Sequence, residues 1–238
     1  MKVLLLLLLV YLIKKSLSQK LPAIEADILI APGGYKGIYM LGICHYIKHH
    51  FDIKHKKILG FSCGTFCTLF MRIKPELENT FLRHLFASDK PRQSMPKFLN
   101  KVIDTLNTNF KYEDFDLSGT QLGVTTSTGL KCYDHFLNMR ELTHCCRCSS
   151  FIPFVTHNEL FLVYKNQLTL DGGIYYKQLH HLKKEKIVIS SSMFGRFSTK
   201  LLEGFRKPKC SYYQLYLMGY HDARKNYDVL KKKFQFQS

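Results

Sequence analysis

Acidic residues are scarce in this chain: 18 Asp and Glu stand against 35 Lys and Arg in 238 residues, a formal net charge of +17 at pH 7. Such an imbalance calls for an acidic partner or surface. Nucleic acid is not the expected one. The lysines are scattered, and zinc-finger spacing, an RNA-binding aromatic signature and a basic heptad region are all missing. An anionic membrane surface fits better, each nearby Lys or Arg contributing about 1 kcal/mol. The chain also lacks a complete set of cysteine-centred zinc ligands. Cys145, Cys146 and Cys148 sit beside His144, but no second pair at zinc spacing accompanies them. Nor do the eight cysteines form a disulfide framework, because that bunch is too tight to bridge separate elements. Reduced, structural thiols are the expectation.

The N-terminal apolar run, Val3 to Ile13, stops at eleven residues, short of the roughly 20 that a spanning helix needs. It suits the apolar core of a signal peptide, with Ser16-Leu17-Ser18 as a cleavage site. Lys14-Lys15 directly after it suits an uncleaved anchor whose lysines meet lipid headgroups. A helix packed on the domain is the third reading. Residues 1–20 are therefore expected to be a signal peptide or membrane anchor, making secretory export or membrane association the expected location. Residues 21–238 are expected to form the domain. Apolar residues make up 46% and are evenly spread, as a globular chain of this length requires.

Three glycine-bearing loops each follow a short apolar, strand-like run. After Asp27 to Ala31 comes Pro32-Gly33-Gly34-Tyr35-Lys36-Gly37, then a helical pattern from Ile38 to His50. The order of glycines is not the dinucleotide fingerprint, and Gly-Lys-Ser/Thr of a phosphate-binding loop is absent. Three glycines in five positions instead leave backbone amides free to approach a phosphate or an oxyanion. His45 and His49 lie four apart on the helix but lack the metalloprotease Glu, so they read as surface residues.

After Lys57-Ile58-Leu59 comes Gly60-Phe61-Ser62-Cys63-Gly64, followed by the apolar Thr65 to Met71. Strand, Gly-x-Ser-x-Gly, helix is the setting of a nucleophile elbow, whose turn is too tight for side chains two positions either side of the serine. Asp171-Gly172-Gly173 ends the strand Leu168 to Leu170, the second arm of a hairpin begun at Leu160 to Tyr164. Open α/β sheets place catalytic side chains at such strand ends. Other expected elements are helices between Lys74 and Phe115, strands at Leu122 to Thr126 and Ile187 to Ile189, a helix at Met139 to Cys146, and one closing helix through Tyr216, Tyr220, Ala223, Tyr227 and Leu230. The lysine-rich end after it, with Phe234 and Phe236, reads as a solvated helix end or a lipid contact.

The ordered trio resembles the patatin-like phospholipase family, whose signature runs Gly-Gly-Gly-x-Arg/Lys-Gly, then Gly-x-Ser-x-Gly, then Asp-Gly-Gly/Ala. Lys36 fills the basic position, Ser149 to Pro153 is similar to the small-residue and proline stretch ahead of the aspartate, and Gly219 to Ala223 is similar to a family ending. The likeness spans about residues 26 to 228. Pro32 replaces the first glycine, and Ile174-Tyr175-Tyr176-Lys177 replaces the polar residues usual after the aspartate. The resemblance implies an α/β fold with a mostly parallel central sheet between helices, in three layers. It also implies a lipid acyl hydrolase of phospholipase A type, acting on phospholipid or another acyl-ester lipid without metal or cofactor. Ser62 would be the nucleophile and Asp171 its base. Amides of Gly33, Gly34 and Cys63 would hold the oxyanion. Gly37, Gly60, Gly64, Gly172 and Gly173 would shape the loops, while Lys36 would steady the first or attract a headgroup. The alternative is a catalytically silent, lipid-binding module with the same fold.

Overall fold

A computed structural model of the chain describes residues 18, 21, 24–87, 93–176, 178–179, 186–198 and 201–235. Apart from Ser18, the expected signal or anchor at 1–20 lies outside the described residues. The strands are β1 (Ile28–Ile30), β2 (Ile58–Phe61), β3 (Thr120–Thr126), β4 (Gly129–Tyr133), β5 (Leu162–Tyr164), β6 (Gln167–Leu170) and β7 (Ile187–Ile189). The α-helices are α1 (Gly37–His50), α2 (Cys63–Arg72), α3 (Glu78–Phe86), α4 (Met95–Asn109), α5 (Met139–Ser149), α6 (Gly173–Tyr176), α7 (Tyr212–Lys225) and α8 (Tyr227–Gln235). They build an α/β fold around one mixed, mostly parallel sheet of seven strands.

β7, β1, β2 and β3 form a parallel block. Side chains alternate across it as the pleat dictates. Ile28, Ile30 and Ile58 face the main core, packed with Tyr39 and Ile43 of α1, Phe70 of α2, Leu142 of α5 and Tyr216 of α7. Leu29, Leu59 and Phe61 face a smaller cluster with Tyr175 of α6 and Leu179. Each such side chain contributes about 1.5–3 kcal/mol when fully buried. Both faces of the sheet are thus covered, unequally.

The register around β3 explains how the site is assembled. Gly123 pairs with Phe61 of β2 on one side and Cys132 of β4 on the other. Thr125 pairs with Leu130 of β4 and, opposite it, Leu170 of β6. β2 and β6 therefore lie end to end along the same edge of β3. β2 runs parallel to β3 and β6 antiparallel, so their carboxyl ends meet. Ser62 follows one and Asp171 the other. The Lys165-Asn166 hairpin turn, with φ of 46° and 61°, is of the kind whose twist suits two antiparallel strands.

Several expectations are corrected. β4 was not anticipated. The closing segment is two helices, broken at Asn226, whose amide and side chain both turn back to the Asp222 carbonyl. Phe234 is buried and stacks on Phe51 at 4.4 Å between ring centres, so it is a core residue and not a lipid contact. Phe236 lies outside the described residues. His45 is no surface residue either, because its side chain is only 17% exposed.

Candidate active site

Ser62 stands between β2 and α2 with φ 53° and ψ −128°, a conformation that costs about 1–3 kcal/mol for a residue with a side chain and persists only where its surroundings enforce it. They do so here. A Cβ on Gly60 would lie 2.4 Å from Thr68 Oγ1, and one on Gly64 would lie 2.5 Å from the Ile30 carbonyl oxygen. Only glycine at both positions lets the elbow close against its own helix and β1.

Ser62 Oγ donates to Asp171 Oδ2 at 2.7 Å. The other carboxylate oxygen accepts from the Gly173 amide at 2.7 Å, and Thr125 Oγ1 holds the Asp171 carbonyl at 2.9 Å. Asp171 is buried, and burial pushes its carboxyl up to about 6 against the opposing pull of the Ser62 and Gly173 hydrogen bonds. A carboxylate desolvated in this way is a stronger base than an exposed one and is still ionised at neutral pH.

One further residue joins the pieces. Ser149 Oγ accepts from the Ser62 amide and donates to the Gly123 carbonyl, and the Ser149 carbonyl accepts from the Gly172 amide at 2.8 Å. Elbow, β3 and aspartate loop are thereby tied to the last residue of α5. The sequence marked Ser149 only as a small residue; nothing local discloses contacts 26 and 87 positions away.

The glycine loop reaches the same place. A Cβ on Gly33 would lie 3.6 Å from Cys63 Sγ, and burial holds the Cys63 thiol well above its ordinary pKa against the pull of the Gly33 and Gly34 amides. The Cys63 sulfur thus lies beside the glycine loop whose amides are expected at an oxyanion site. Lys36 is buried, its ammonium 3.5 Å from Glu203 and 5.1 Å from the centre of the Phe197 ring. Gly37 and Gly64 pack at the bases of their helices, and Gly172 and Gly173 carry the turn after Asp171.

Two apolar cavities meet at Ser62. One, of about 60 Å³, runs between α1, α2, α3 and α4, lined by Ile38, Phe66, Phe81, Leu85 and Phe98. The other, of about 230 Å³, passes Asp171 and is lined by Phe151, Ile152, Pro153 and Ile174. Gly34 and Phe205 border both. A nucleophile with an apolar slot on either side suits an ester with apolar substituents on either side. His157 is buried and pushed down to about 4 by that burial, with its Nδ1 bonded to Thr156 Oγ1, while the hydrogen bond of Ser62 Oγ goes to Asp171. No family model matches the chain, and no curated protein matches it.

Proposed function

We propose that this chain is a patatin-like serine acyl hydrolase that cleaves acyl esters of lipids, a phospholipase A type of activity. The observation that carries this reading is the 2.7 Å hydrogen bond from Ser62 Oγ to a buried carboxylate, made at the junction of two apolar cavities. As Ser62 Oγ bonds to the ester carbonyl carbon, its proton passes to Asp171 Oδ2. The developing oxyanion takes the hydrogen bonds of the Gly33, Gly34 and Cys63 amides at the positive end of the α2 dipole. Collapse of the intermediate expels the alcohol, which takes the proton from Asp171. Water then attacks the acyl-serine with Asp171 again accepting the proton; collapse breaks the bond to Ser62 Oγ and releases the carboxylic acid, while Asp171 returns the proton to Ser62 Oγ.

Membrane association belongs to the same reading. Directly after Phe151 to Pro153 of the second cavity, Phe154, Val155, Leu160, Phe161 and Val163 expose large apolar side chains, Phe154 to 69% and Phe161 to 60%. Beside a net charge of +17, such a rim suits an anionic lipid surface. The rival reading, a silent lipid-binding module, draws on the Cys63 sulfur that lies against the glycine loop. Turnover of short-chain nitrophenyl esters separates the two. Wild type should hydrolyse them, while Ser62→Ala should lose the activity with its melting temperature nearly unchanged. Equal turnover by both proteins contradicts the assignment, and absence of turnover in wild type favours the silent module.

A further inference from the structure

Three metal-ligating side chains converge outside the Ser62 site, and none of them lines either cavity. His45 and His49 stand one turn apart on α1, and Glu78 opens α3. His45 Nε2 lies 3.7 Å and His49 Nε2 lies 2.6 Å from one oxygen, Glu78 Oε2. The donor atoms of all three fall within 4.8 Å of one another. Zinc bonds of about 2.0–2.1 Å in a tetrahedron set neighbouring donors roughly 3.3 Å apart, and the two nitrogen–oxygen separations bracket that distance. His49 is half exposed, its side chain 47% accessible, so a small rotation of its ring completes the geometry.

The surroundings support ligand roles. The second oxygen, Glu78 Oε1, is 2.6 Å from the Lys48 ammonium, which also holds the carbonyls of Phe70 and Ile73 at 3.1 and 2.5 Å. Lys48 is thus seated on one carboxylate oxygen and leaves the other to face the histidines. Nδ1 of His45 is bonded to the Tyr216 hydroxyl. In the tautomer whose Nδ1–H donates to that oxygen, the Nε2 lone pair faces Glu78, the outer-shell arrangement usual for a metal-bound imidazole. Two imidazoles and one carboxylate suit zinc, cobalt or nickel, whereas calcium and magnesium take oxygen ligands.

We infer that His45, His49 and Glu78 bind a single divalent ion of the zinc and cobalt class, with water completing its shell on the exposed side near His49. The ion would clip the end of α1 to the start of α3, whose Phe81 and Leu85 wall the narrower cavity. It would act on the shape of that wall and not on the reacting atoms.

Cobalt(II) is the direct probe. The full-length chain, kept reduced, is titrated with Co²⁺ while visible absorption and thermal unfolding are followed. One equivalent should bind, with d–d bands but without the intense charge-transfer bands of thiolate ligands, and should raise the melting temperature. Calcium should not. His49→Ala should weaken binding about tenfold or more and remove the thermal shift, while its metal-free melting temperature stays close to wild type because His49 is half exposed. His45→Gln should give the same loss of affinity. Absence of saturable binding, thiolate charge-transfer bands, or wild-type affinity in both variants would overturn the inference and leave Glu78 as an ion-pair partner of Lys48 and His49 only.

Discussion

The Ser149 hydroxyl accepts the Ser62 amide proton at 2.9 Å while giving its own to the Gly123 carbonyl at 2.6 Å. One side chain thus fixes the backbone of the residue held at φ 53° to the central strand of the sheet. Ser149→Ala would leave a buried N–H without its partner, at a cost of about 1–3 kcal/mol. Because the elbow is strained, that loss should appear as misplacement of Ser62 Oγ and so lower kcat by roughly 10-fold or more. KM for a short soluble ester should change little, since Ser149 lines neither cavity. A rise in KM at constant kcat would instead make Ser149 a substrate contact.

Asp171 links activity to pH and to stability. Burial raises its carboxyl from 3.8 to about 6, so kcat/KM should climb as pH rises through about 6, where the base ionises. Stability moves the other way. The folded-state pKa lies above the unfolded one, so the contribution is full below about pH 4 and is lost as pH rises through about 6. The loss amounts to about 3 kcal/mol by pH 8. Asp171→Asn removes the ionisation and should cut kcat by at least about 10². It should also raise the melting temperature at pH 8, by less than the full amount because the amide offers one acceptor fewer. The gain should shrink towards pH 5. A variant that loses activity and melts lower at every pH would contradict the charge argument. Replacing His157 should spare kcat, because Ser62 Oγ is bonded to Asp171. His180 and His181 lie outside the described residues, and their replacement should be equally mild.

Much of this site was legible before the fold was known, and for local reasons. Gly60 and Gly64 frame Ser62 within five residues, and a tight turn writes its needs into adjacent positions. Asp171 was readable from the strand before it and the glycines after it. What the sequence hid is set by distance along the chain. β6 runs against its neighbour β3, so Asp171 reaches Ser62 by lying end to end with β2 and not by joining a parallel row. β4 is not legible locally, because Gly129-Leu130-Lys131-Cys132-Tyr133 has no clear apolar alternation; it forms because β3 offers it an edge. His45 looked solvent-facing until Tyr216 and Glu78, 171 and 33 positions away, closed over it. The break at Asn226 is invisible to apolar spacing, since Ala223 and Leu230 are buried on either side of it.

Charge and the exposed apolar rim make separate predictions at a membrane. Vesicles rich in anionic lipid should bind the chain much better than neutral ones, and added salt should weaken the binding, because exposed charges are screened beyond about 8 Å at physiological ionic strength. Phe154→Asp with Phe161→Asp should remove most of the salt-resistant binding while leaving hydrolysis of soluble esters intact. Both side chains are exposed, so folding should be unaffected. Equal sedimentation with neutral and anionic vesicles would remove the role of charge.

The central claim is that Ser62 is a nucleophile activated by Asp171. A fluorophosphonate reports it most directly, because it phosphonylates a serine whose proton is taken as it attacks. Incubated with the purified chain and followed by peptide mass spectrometry, the probe should add one equivalent, on Ser62. Labelling should be slowed strongly in Asp171→Asn and be absent in Ser62→Ala. Modification at another residue, or no modification of the folded wild-type protein, would contradict the account.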